Sequence, residues 1–317
     1  MSVMLSRSAE NIYWMGRSLE RGAALCRMLQ VAGQLTVEIR GLAPRDAAAF
    51  WAGFSNVYPG SPVLDAETLD VDEAEAFGLQ TWLLGRGNQL SVATSIHHAR
   101  ENARAIREYL TREVFEQINE CWLQLDAGVR GEALPTDLLN QVHQAIYGVG
   151  GKIGRTLIRD EAWTFLDLGV MLERVYRVLL LLRHRLPPLM ANPEDIDIPV
   201  HHALLRAVLR SAGSLENYRR VHGAGLTPRQ IWSFLFFDMQ SPQSVAYGVA
   251  SLERELKGIE GDGMLTETER RIGRLSSQLK FDAEELLTSD DFVAVCDRLV
   301  HDIESIHESL TRLYFTV

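Results

Sequence analysis

The segment SRSAENIYWMGRSLERGAALCRMLQ, residues 6–30, decides the fold class of this chain. Its apolar or small residues recur mostly at steps of three or four, which places them on one face of an α-helix. These positions are Ile12, Met15, Gly16, Leu19, Ala23, Cys26 and Leu29. The spacing predicts a long amphipathic helix, with Ser6 or Ser8 as its N-cap.

The same spacing returns in the middle of the chain, after Asp160 as a predicted capping residue. There it is carried by Phe165, Leu168, Gly169, Leu172, Tyr176 and Leu179. Further helices are predicted at residues 47–58, 66–84, 91–110, 113–125, 136–147, 201–221, 244–259, 266–288 and 290–316. Because no convincing period-two strand is present, the fold class is predicted to be all-α.

Glycine and proline mark the predicted connections between these helices. The glycine-rich residues 148–154 are predicted to form a flexible turn. Residues 60–72 and 187–199 are predicted to be connectors. No charged or Gly/Ser-rich linker separates the chain into parts, which favours one continuous helical body.

Short matches recur along the chain at a constant offset. Residues 16–21 match residues 169–174, both ending in Leu-Glu-Arg, and 169 minus 16 is 153. Residues 91–93 and 244–246 share Ser-Val-Ala at the same offset. We therefore predict an internal duplication. In this prediction residues 1–317 form one domain, a single helical bundle with pseudo-symmetric halves 1–153 and 154–317.

Charge and composition exclude several classes of protein. The formal net charge of −10 leaves no basic surplus to neutralise phosphates, which argues against a nucleic-acid binder. Three distant cysteines, Cys26, Cys121 and Cys296, form neither a disulfide framework nor a zinc pattern. No secretory signal is evident and no apolar run approaches ~20 residues, so we expect a cytoplasmic protein without a membrane span.

The two Leu-Glu-Arg segments carry the most informative polar residues, at the margin of each apolar stripe. If the two helices pack together, Glu20 can pair with Arg174 and Glu173 with Arg21. Two alternatives stay open. The first is local pairing on a solvated face, Arg17 with Glu20 and Glu173 with Arg177. The second is a catalytic role for the carboxylates.

Other polar and aromatic patterns are less specific. His97, Glu101, Arg104 and Glu108 share one predicted helix face, which suits either an anion site or a solvated face. A single Glu-x-x-His, Glu304 to His307, does not meet the requirements of a di-metal bundle, and no nucleotide fingerprint is present, so neither a metal nor a cofactor is predicted. Six aromatic residues fit an interface or a core equally well: Trp51, Phe54, Trp232, Phe234, Phe236 and Phe237.

Four segments in order resemble the alpha-E family of bacterial helical proteins. Residues 6–21 resemble the family's opening, and residues 99–104, Ala-Arg-Glu-Asn-Ala-Arg, resemble its central helix. Residues 159–165 lead into the second Glu-Arg, and residues 217–220 resemble a third element. The resemblance implies these motif or substrate-binding candidates: Tyr13, Trp14, Arg17, Glu20, Arg21, Glu101, Asn102, Arg104, Arg159, Glu173 and Arg174.

The resemblance also implies partners. Members of the family accompany a circularly permuted ATP-grasp protein, and often a transglutaminase-like protein, in sets that look like peptide synthesis or modification systems. It implies an accessory protein of an ATP-grasp amide ligase that presents a peptide substrate or organises the complex. The alternative is an enzyme in its own right, with a central Glu/Arg-lined pocket acting on a carboxylate or peptide.

Overall fold

A computed structural model describes residues 4–58, 60, 62–64, 70–132, 135–191, 197–260, 265–281, 286 and 291–315. Within these ranges the chain is helical and contains no strand, which confirms the all-α prediction. The first helices are α1 Ser6–Ile39, α2 Pro44–Ala52, α3 Phe54–Val57, α4 Val71–Gly78, α5 Val92–Ala105, α6 Arg112–Val129 and α7 Pro135–Thr156. A π-helical turn, Leu79–Leu83, extends α4, and a 3₁₀ turn, Arg107–Tyr109, follows α5.

The remaining helices continue the same architecture. They are α8 Glu161–Arg185, α9 Pro187–Ala191, α10 Ile198–Ser211, α11 Leu215–His222, α12 Pro228–Phe237, α13 Val245–Glu260, α14 Glu267–Phe281 and α15 Phe292–Leu310, which a π-helical turn, Thr311–Phe315, extends. The predicted connector at 187–199 contains α9, and its residues 192–196 lie outside the described residues. Residues 61 and 65–69 of the predicted connector at 60–72 also lie outside them, as do residues 282–285, 287 and 288 of the helix predicted at 266–288.

Helices α1 and α8 form the centre of the molecule. At 34 residues, α1 is about 50 Å long at 1.5 Å per residue. It packs against α5, α7, α10 and α8, and α8 packs in turn against α13 and α15. Buried apolar side chains from Ala9 to Phe315 form one hydrophobic cluster around this pair. Burial of that surface is the main force holding the helices together.

Two glycines allow the backbones of α1 and α8 to touch. A Cβ on Gly16 would lie 2.5 Å from the carbonyl oxygen of Leu166, and a Cβ on Gly169 would lie closer still to that of Tyr13. Gly16 also faces Val170, and Gly169 faces Arg17. These contacts are reciprocal at the offset of 153 residues. The duplication itself stays a prediction.

The glycine-rich segment at 148–154 is helical, so the predicted turn is wrong. Helix α7 continues through Gly148, Gly150, Gly151 and Gly154 to Thr156. A glycine costs a helix up to about 1 kcal/mol relative to alanine. The buried stripe of α7 continues across the segment and outweighs that cost; it consists of Leu138, Leu139, Val142, Ala145, Ile146, Val149 and Ile153.

Helix caps and aromatic residues test two further predictions. Neither Ser6 nor Ser8 caps α1, because the helix begins at Ser6 with Leu5 as a cap that offers no side-chain bond. Asp160 does cap α8, accepting a hydrogen bond from the Trp163 amide at 3.2 Å. Of the six aromatic candidates, only Phe237 is partly exposed, so core packing rather than an interface explains the set.

The described part of the chain also bears on the predictions about membrane spans and cysteines. None of its helices combines the length and apolar character needed to cross a membrane. Its three cysteines are buried and unpaired, as expected of small apolar groups.

Candidate functional site

Glu173, on α8, is the centre of a buried charge cluster. Its carboxylate is fully buried and accepts hydrogen bonds from three arginines. Arg17 Nε lies 2.8 Å from Oε2, and Arg177 Nε lies 2.8 Å from Oε1. Arg21 binds both oxygens, through Nε at 2.7 Å and Nη2 at 3.1 Å. Such charge-assisted, bidentate geometry is among the strongest that polar side chains form.

The three guanidiniums keep Glu173 ionised. Burial alone would raise the pKa of its carboxyl, but Arg21, Arg177 and Arg17 together hold that pKa well below its usual value. A carboxylate held ionised by three arginines has no proton to donate at neutral pH and is only a weak base, so it is poorly suited to acid–base catalysis. The predicted catalytic role therefore finds no support at Glu173.

Glu20 forms the second pair of the cluster. Arg174 binds it through Nε at 2.9 Å and Nη2 at 3.0 Å, and also donates to the carbonyl of Pro242. Despite burial, Arg174 lowers the pKa of the Glu20 carboxyl. The reciprocal pairing of Glu20 with Arg174 and Glu173 with Arg21 is thereby confirmed. The local pair Glu173–Arg177 forms as well, but it is buried rather than solvated.

A third Leu-Glu-Arg, at residues 252–254, has the same sequence but forms different ion pairs. Glu253 pairs with Lys257 at 2.8 Å, one turn along the same helix. Arg254 is mostly exposed and pairs with its neighbour Glu255 at 3.3 Å. The charge cluster therefore depends on the packing of α1 against α8, not on the tripeptide alone.

A cavity of about 470 Å³ opens beside Glu20 and Arg174, between α1, α7 and α8. We call it the Trp163 cavity. Its polar lining includes Glu20, Arg27, Tyr147, Trp163, Asp167 and Arg174. The rest is mainly apolar, from Leu19, Ala23, Ile146, Ile153, Leu166, Val170 and Met171. Its size lies within the range of small-molecule sites.

A smaller cavity of about 230 Å³ opens beside the Glu173 cluster, between α1, α8 and α15. We call it the Arg21 cavity. Its polar lining consists of Arg17, Arg21, Tyr176, Arg177, Glu304 and His307. His307 Nδ1 lies 2.8 Å from the hydroxyl of the buried Tyr13. Burial, reinforced by Arg17, lowers the pKa of His307 to about 4, so this imidazole is neutral at pH 7.

The two cavities occupy positions related by the offset of 153 residues but differ in size. Ala23, Gly150 and Gly151 line the Trp163 cavity. Tyr176, Ile303 and Glu304 line the Arg21 cavity at the corresponding positions, each 153 residues later. Small residues in the first set leave open the space that larger side chains occupy in the second.

Comparison with known proteins identifies the fold family. A family model named Alpha-E, described as a predicted alpha-helical domain with a conserved ER motif, matches residues 4–315. The chain belongs to the Alpha-E family. No solved structure is significantly similar to it.

The curated relatives of this Alpha-E chain are longer proteins. An uncharacterized protein of Mycobacterium bovis is 22% identical over a 335-residue alignment. Uncharacterized proteins of Mycobacterium tuberculosis are 22% and 21% identical over the same length. Each alignment covers 98% of this chain and 36% of the relative, so the chain spans about a third of the relatives' length.

The Alpha-E fold brings together seven of the predicted site residues. They lie on α1 and α8 around the charge cluster: Tyr13, Trp14, Arg17, Glu20, Arg21, Glu173 and Arg174. Trp14 is half-buried beneath the Arg17 guanidinium, which lies 5.0 Å from the centre of its ring. Because α1 and α8 meet at Gly16 and Gly169, one turn before each glutamate, this grouping follows from the packing.

Four predicted residues lie elsewhere. Glu101 pairs with Arg104 on the surface of α5, which is the ordinary solvated arrangement. Asn102, on the same helix, is half-buried. Arg159 is exposed and stacks on Trp163, with its guanidinium carbon 3.2 Å from the ring centre, but it does not itself line the Trp163 cavity. The predicted face from His97 to Glu108 is not one face, because α5 ends at Ala105.

Sequence reasoning missed several lining residues of the Trp163 cavity. Arg27 lies two turns after Glu20 on α1 and donates to the hydroxyl of Tyr147 at 2.6 Å. Asp167 lies two turns before Arg174 on α8. Burial, with repulsion from Glu255, raises the pKa of Asp167 to about 6. The helical period from the Glu-Arg pairs was a usable signal for Arg27 and Asp167.

Asp167→Asn is expected to stabilise the Alpha-E fold above about pH 6. A carboxyl whose folded-state pKa is raised stabilises the fold fully only below its unfolded-state pKa, and that contribution is lost as the pH rises through the folded-state value. The melting temperature of the variant should therefore exceed that of the wild type at pH 7–8, and the difference should shrink by about pH 4. Glu308→Gln, at an exposed carboxylate on α15, is the control for the loss of one surface negative charge. A constant difference across this pH range for Asp167→Asn would contradict the raised pKa.

Proposed function

We propose that this chain is an accessory protein of a separate ATP-grasp amide ligase and that its Trp163 cavity holds the carboxylate-bearing end of a peptide or similar acid. The observation that carries the proposal is the cavity itself: Arg27, which has no carboxylate partner among the described residues, lies at one side and an apolar wall at the other.

Arg27 supplies the charge for such a ligand. Its described hydrogen bonds go to the Tyr147 hydroxyl and, at 3.4 Å, to the carbonyl of Ser211, both neutral groups. Arg174, by contrast, is already matched by Glu20. Asp167 lines the same cavity and has a pKa raised to about 6, so below that pH the lining offers one guanidinium whose charge a ligand carboxylate can balance, in the fork geometry that arginine provides. The apolar wall suits the carbon chain beside that carboxylate.

Two observations support an accessory rather than a complete ATP-dependent catalyst. No nucleotide-binding motif is present in the sequence. In the mycobacterial relatives, moreover, the region similar to this chain shares a polypeptide with about twice its length of further sequence. Covalent linkage to other parts in a relative fits a role that depends on them. A transglutaminase-like protein is a further proposed partner, from the family resemblance alone.

The alternative function, an enzyme in its own right, would need a different acid or base from the one predicted. Glu20 and Glu173 both have lowered pKa values because arginines hold them ionised. Asp167, with its pKa raised to about 6, is the cavity carboxyl suited to proton transfer near neutral pH. That single observation keeps the alternative testable.

The deciding experiment measures ATP turnover with three samples: this chain, the ATP-grasp protein from the same source, and the two together. We expect co-purification of the two proteins, no turnover by this chain alone, and faster turnover by the pair with an acid substrate. Turnover by this chain alone would contradict the accessory role. Loss of a ligase-independent reaction in Asp167→Asn would instead favour the enzyme.

Filling the Trp163 cavity is expected to reduce the joint activity strongly without weakening the fold. A Cβ at Gly151 meets no atom within 4 Å, so a leucine there enters the cavity, and α7 loses an unfavourable glycine. Gly151→Leu should reduce joint turnover by about tenfold or more, since that corresponds to ~1.4 kcal/mol of lost binding. Gly154→Leu is the matched control, because it lies on the same helix, meets equally open space and does not line the cavity.

The melting temperatures of both variants should equal or exceed that of the wild type. Equal joint activity in Gly151→Leu and Gly154→Leu, with both folded, would show that the cavity is not the substrate site.

A further inference from the structure

The Arg21 cavity borders an excess of positive charge. Arg17, Arg21 and Arg177 surround the single carboxylate of Glu173, and the side chains of these arginines are only 8–13% exposed. Three guanidiniums and one carboxylate leave a net charge of +2. Charges withdrawn from water need compensation by a counter-charge or hydrogen-bond acceptors.

Other groups at the cavity compensate this excess only in part. Glu304 lies at the exposed rim and accepts a hydrogen bond from the Tyr176 hydroxyl at 3.2 Å. His307 is neutral and is held by Tyr13. If Glu304 is counted, the cavity still carries a net charge of +1.

Donors remain available on two of the arginines. The described hydrogen bonds of Arg21 use Nε and Nη2, both to Glu173. Those of Arg177 use Nε, to Glu173, and Nη1, to the carbonyl of Val57 at 3.5 Å. Within the described part of the chain, Nη1 of Arg21 and Nη2 of Arg177 therefore have no hydrogen-bond acceptor. Both residues line the cavity.

We propose that the Arg21 cavity binds a phosphate-type oxyanion, either free phosphate or the phosphoryl group of a phosphomonoester. Two guanidiniums that Glu173 holds in place line one small space and keep donors without a described acceptor, and tetrahedral oxyanions with several acceptor oxygens match arginine donors well. A volume of about 230 Å³ equals roughly eight water molecules at ~30 Å³ each, which accommodates a phosphoryl group but not an intact nucleotide.

The position of the site separates it from the Trp163 cavity. It uses Glu173 and its arginines, whereas the Trp163 cavity uses Glu20, Arg174 and Arg27. With an acid in the Trp163 cavity and an oxyanion in the Arg21 cavity, the chain would have two anion sites. One would lie beside the Glu20–Arg174 pair and the other beside Glu173 and its arginines. The two assignments can fail independently.

Calorimetric titration with inorganic phosphate, at constant ionic strength in chloride, tests the assignment directly. We expect the wild-type chain to bind phosphate saturably and acetate more weakly. Matched injections of chloride should give no binding heat. Titration with glycerol phosphate distinguishes the sources: equal or tighter binding indicates a phosphomonoester, whereas loss of binding indicates free phosphate.

Two substitutions should move the affinity in opposite directions. Arg21→Gln removes a donor and a charge while leaving Glu173 two arginines, and should weaken phosphate binding by about tenfold or more. Glu304→Gln removes the rim carboxylate, and should tighten it by about threefold. Glu308→Gln, an exposed carboxylate one turn further along α15 that does not line the cavity, should leave the affinity unchanged.

Several outcomes would overturn the assignment. One is the absence of saturable phosphate binding in both the wild type and Glu304→Gln, a variant at an exposed position where folding is not at risk. Another is equal binding by Arg21→Gln, Glu304→Gln and the wild type. Gly151→Leu should bind phosphate normally, so a failure of the proposed substrate site leaves this result unaffected.

Discussion

Glu173→Ala is expected to lower the free energy of unfolding by about 3–5 kcal/mol, the cost of removing one partner from a buried ion pair. The loss is large because three arginines depend on this carboxylate. Arg17 and Arg177 are buried, and without Glu173 they face each other across an uncompensated site. Urea denaturation followed by circular dichroism gives the free energy directly.

Glu20→Ala is the matched control, because Glu20 occupies the equivalent place 153 residues earlier. Only one arginine, Arg174, pairs with Glu20, and it keeps a hydrogen bond to the carbonyl of Pro242 when that carboxylate is removed. We expect a loss of about 1–2 kcal/mol there. Equal losses for Glu20→Ala and Glu173→Ala would contradict the unequal burial of the two pairs.

The depressed pKa of Glu173 also fixes the sign of the acid response. Its stabilisation is present in full above the usual carboxyl pKa of 4.5 and is lost as the pH falls through the lower folded-state value. Wild-type stability should therefore fall below about pH 4.5, whereas Glu173→Ala should lack this part of the acid response. The response is opposite in sign to that of Asp167.

The charge cluster was predictable from sequence because a constant offset supplied the missing geometric information. Once Glu20-Arg21 and Glu173-Arg174 are related by 153 residues, packing of their helices predicts reciprocal pairs. The other two arginines were expected only as local partners, Arg17 of Glu20 and Arg177 of Glu173. Arg17 pairs with Glu173 on the other helix, and burial makes the pair of Glu173 with Arg177 part of the cluster. Both outcomes depend on tertiary packing that the spacing does not show.

The glycines at 148–154 caused the main error in the predicted secondary structure. Gly150 and Gly151 are strong turn signals, yet they lie within α7 because its buried stripe continues past them. The same two residues open the Trp163 cavity, so the wrong turn also hid the cavity. At the offset of 153, Ile303 and Glu304 correspond to them, and this change in size was a signal that the sequence already contained.

Gly169→Ala is expected to destabilise the fold by about 3 kcal/mol or more, because its methyl group would overlap the backbone carbonyl of Tyr13. That carbonyl belongs to the hydrogen-bonded backbone of α1 and cannot move aside as a flexible side chain would. Gly273→Ala, on α14 with nothing within 4 Å of its Cβ, should instead stabilise the chain by about 0.5–1 kcal/mol.

Combining Gly169→Ala with Gly16→Ala tests whether both glycines serve one contact. A Cβ at Gly16 would overlap the Leu166 carbonyl, so either substitution alone forces α1 and α8 apart. Once the helices have separated, the second methyl group meets less resistance, and the double variant should lose less than the sum of the single losses. If the losses in free energy of unfolding, measured by urea denaturation, were strictly additive, the two glycine sites would respond independently. The close contact of α1 with α8, which holds Glu20 against Arg174, would then not be a single unit.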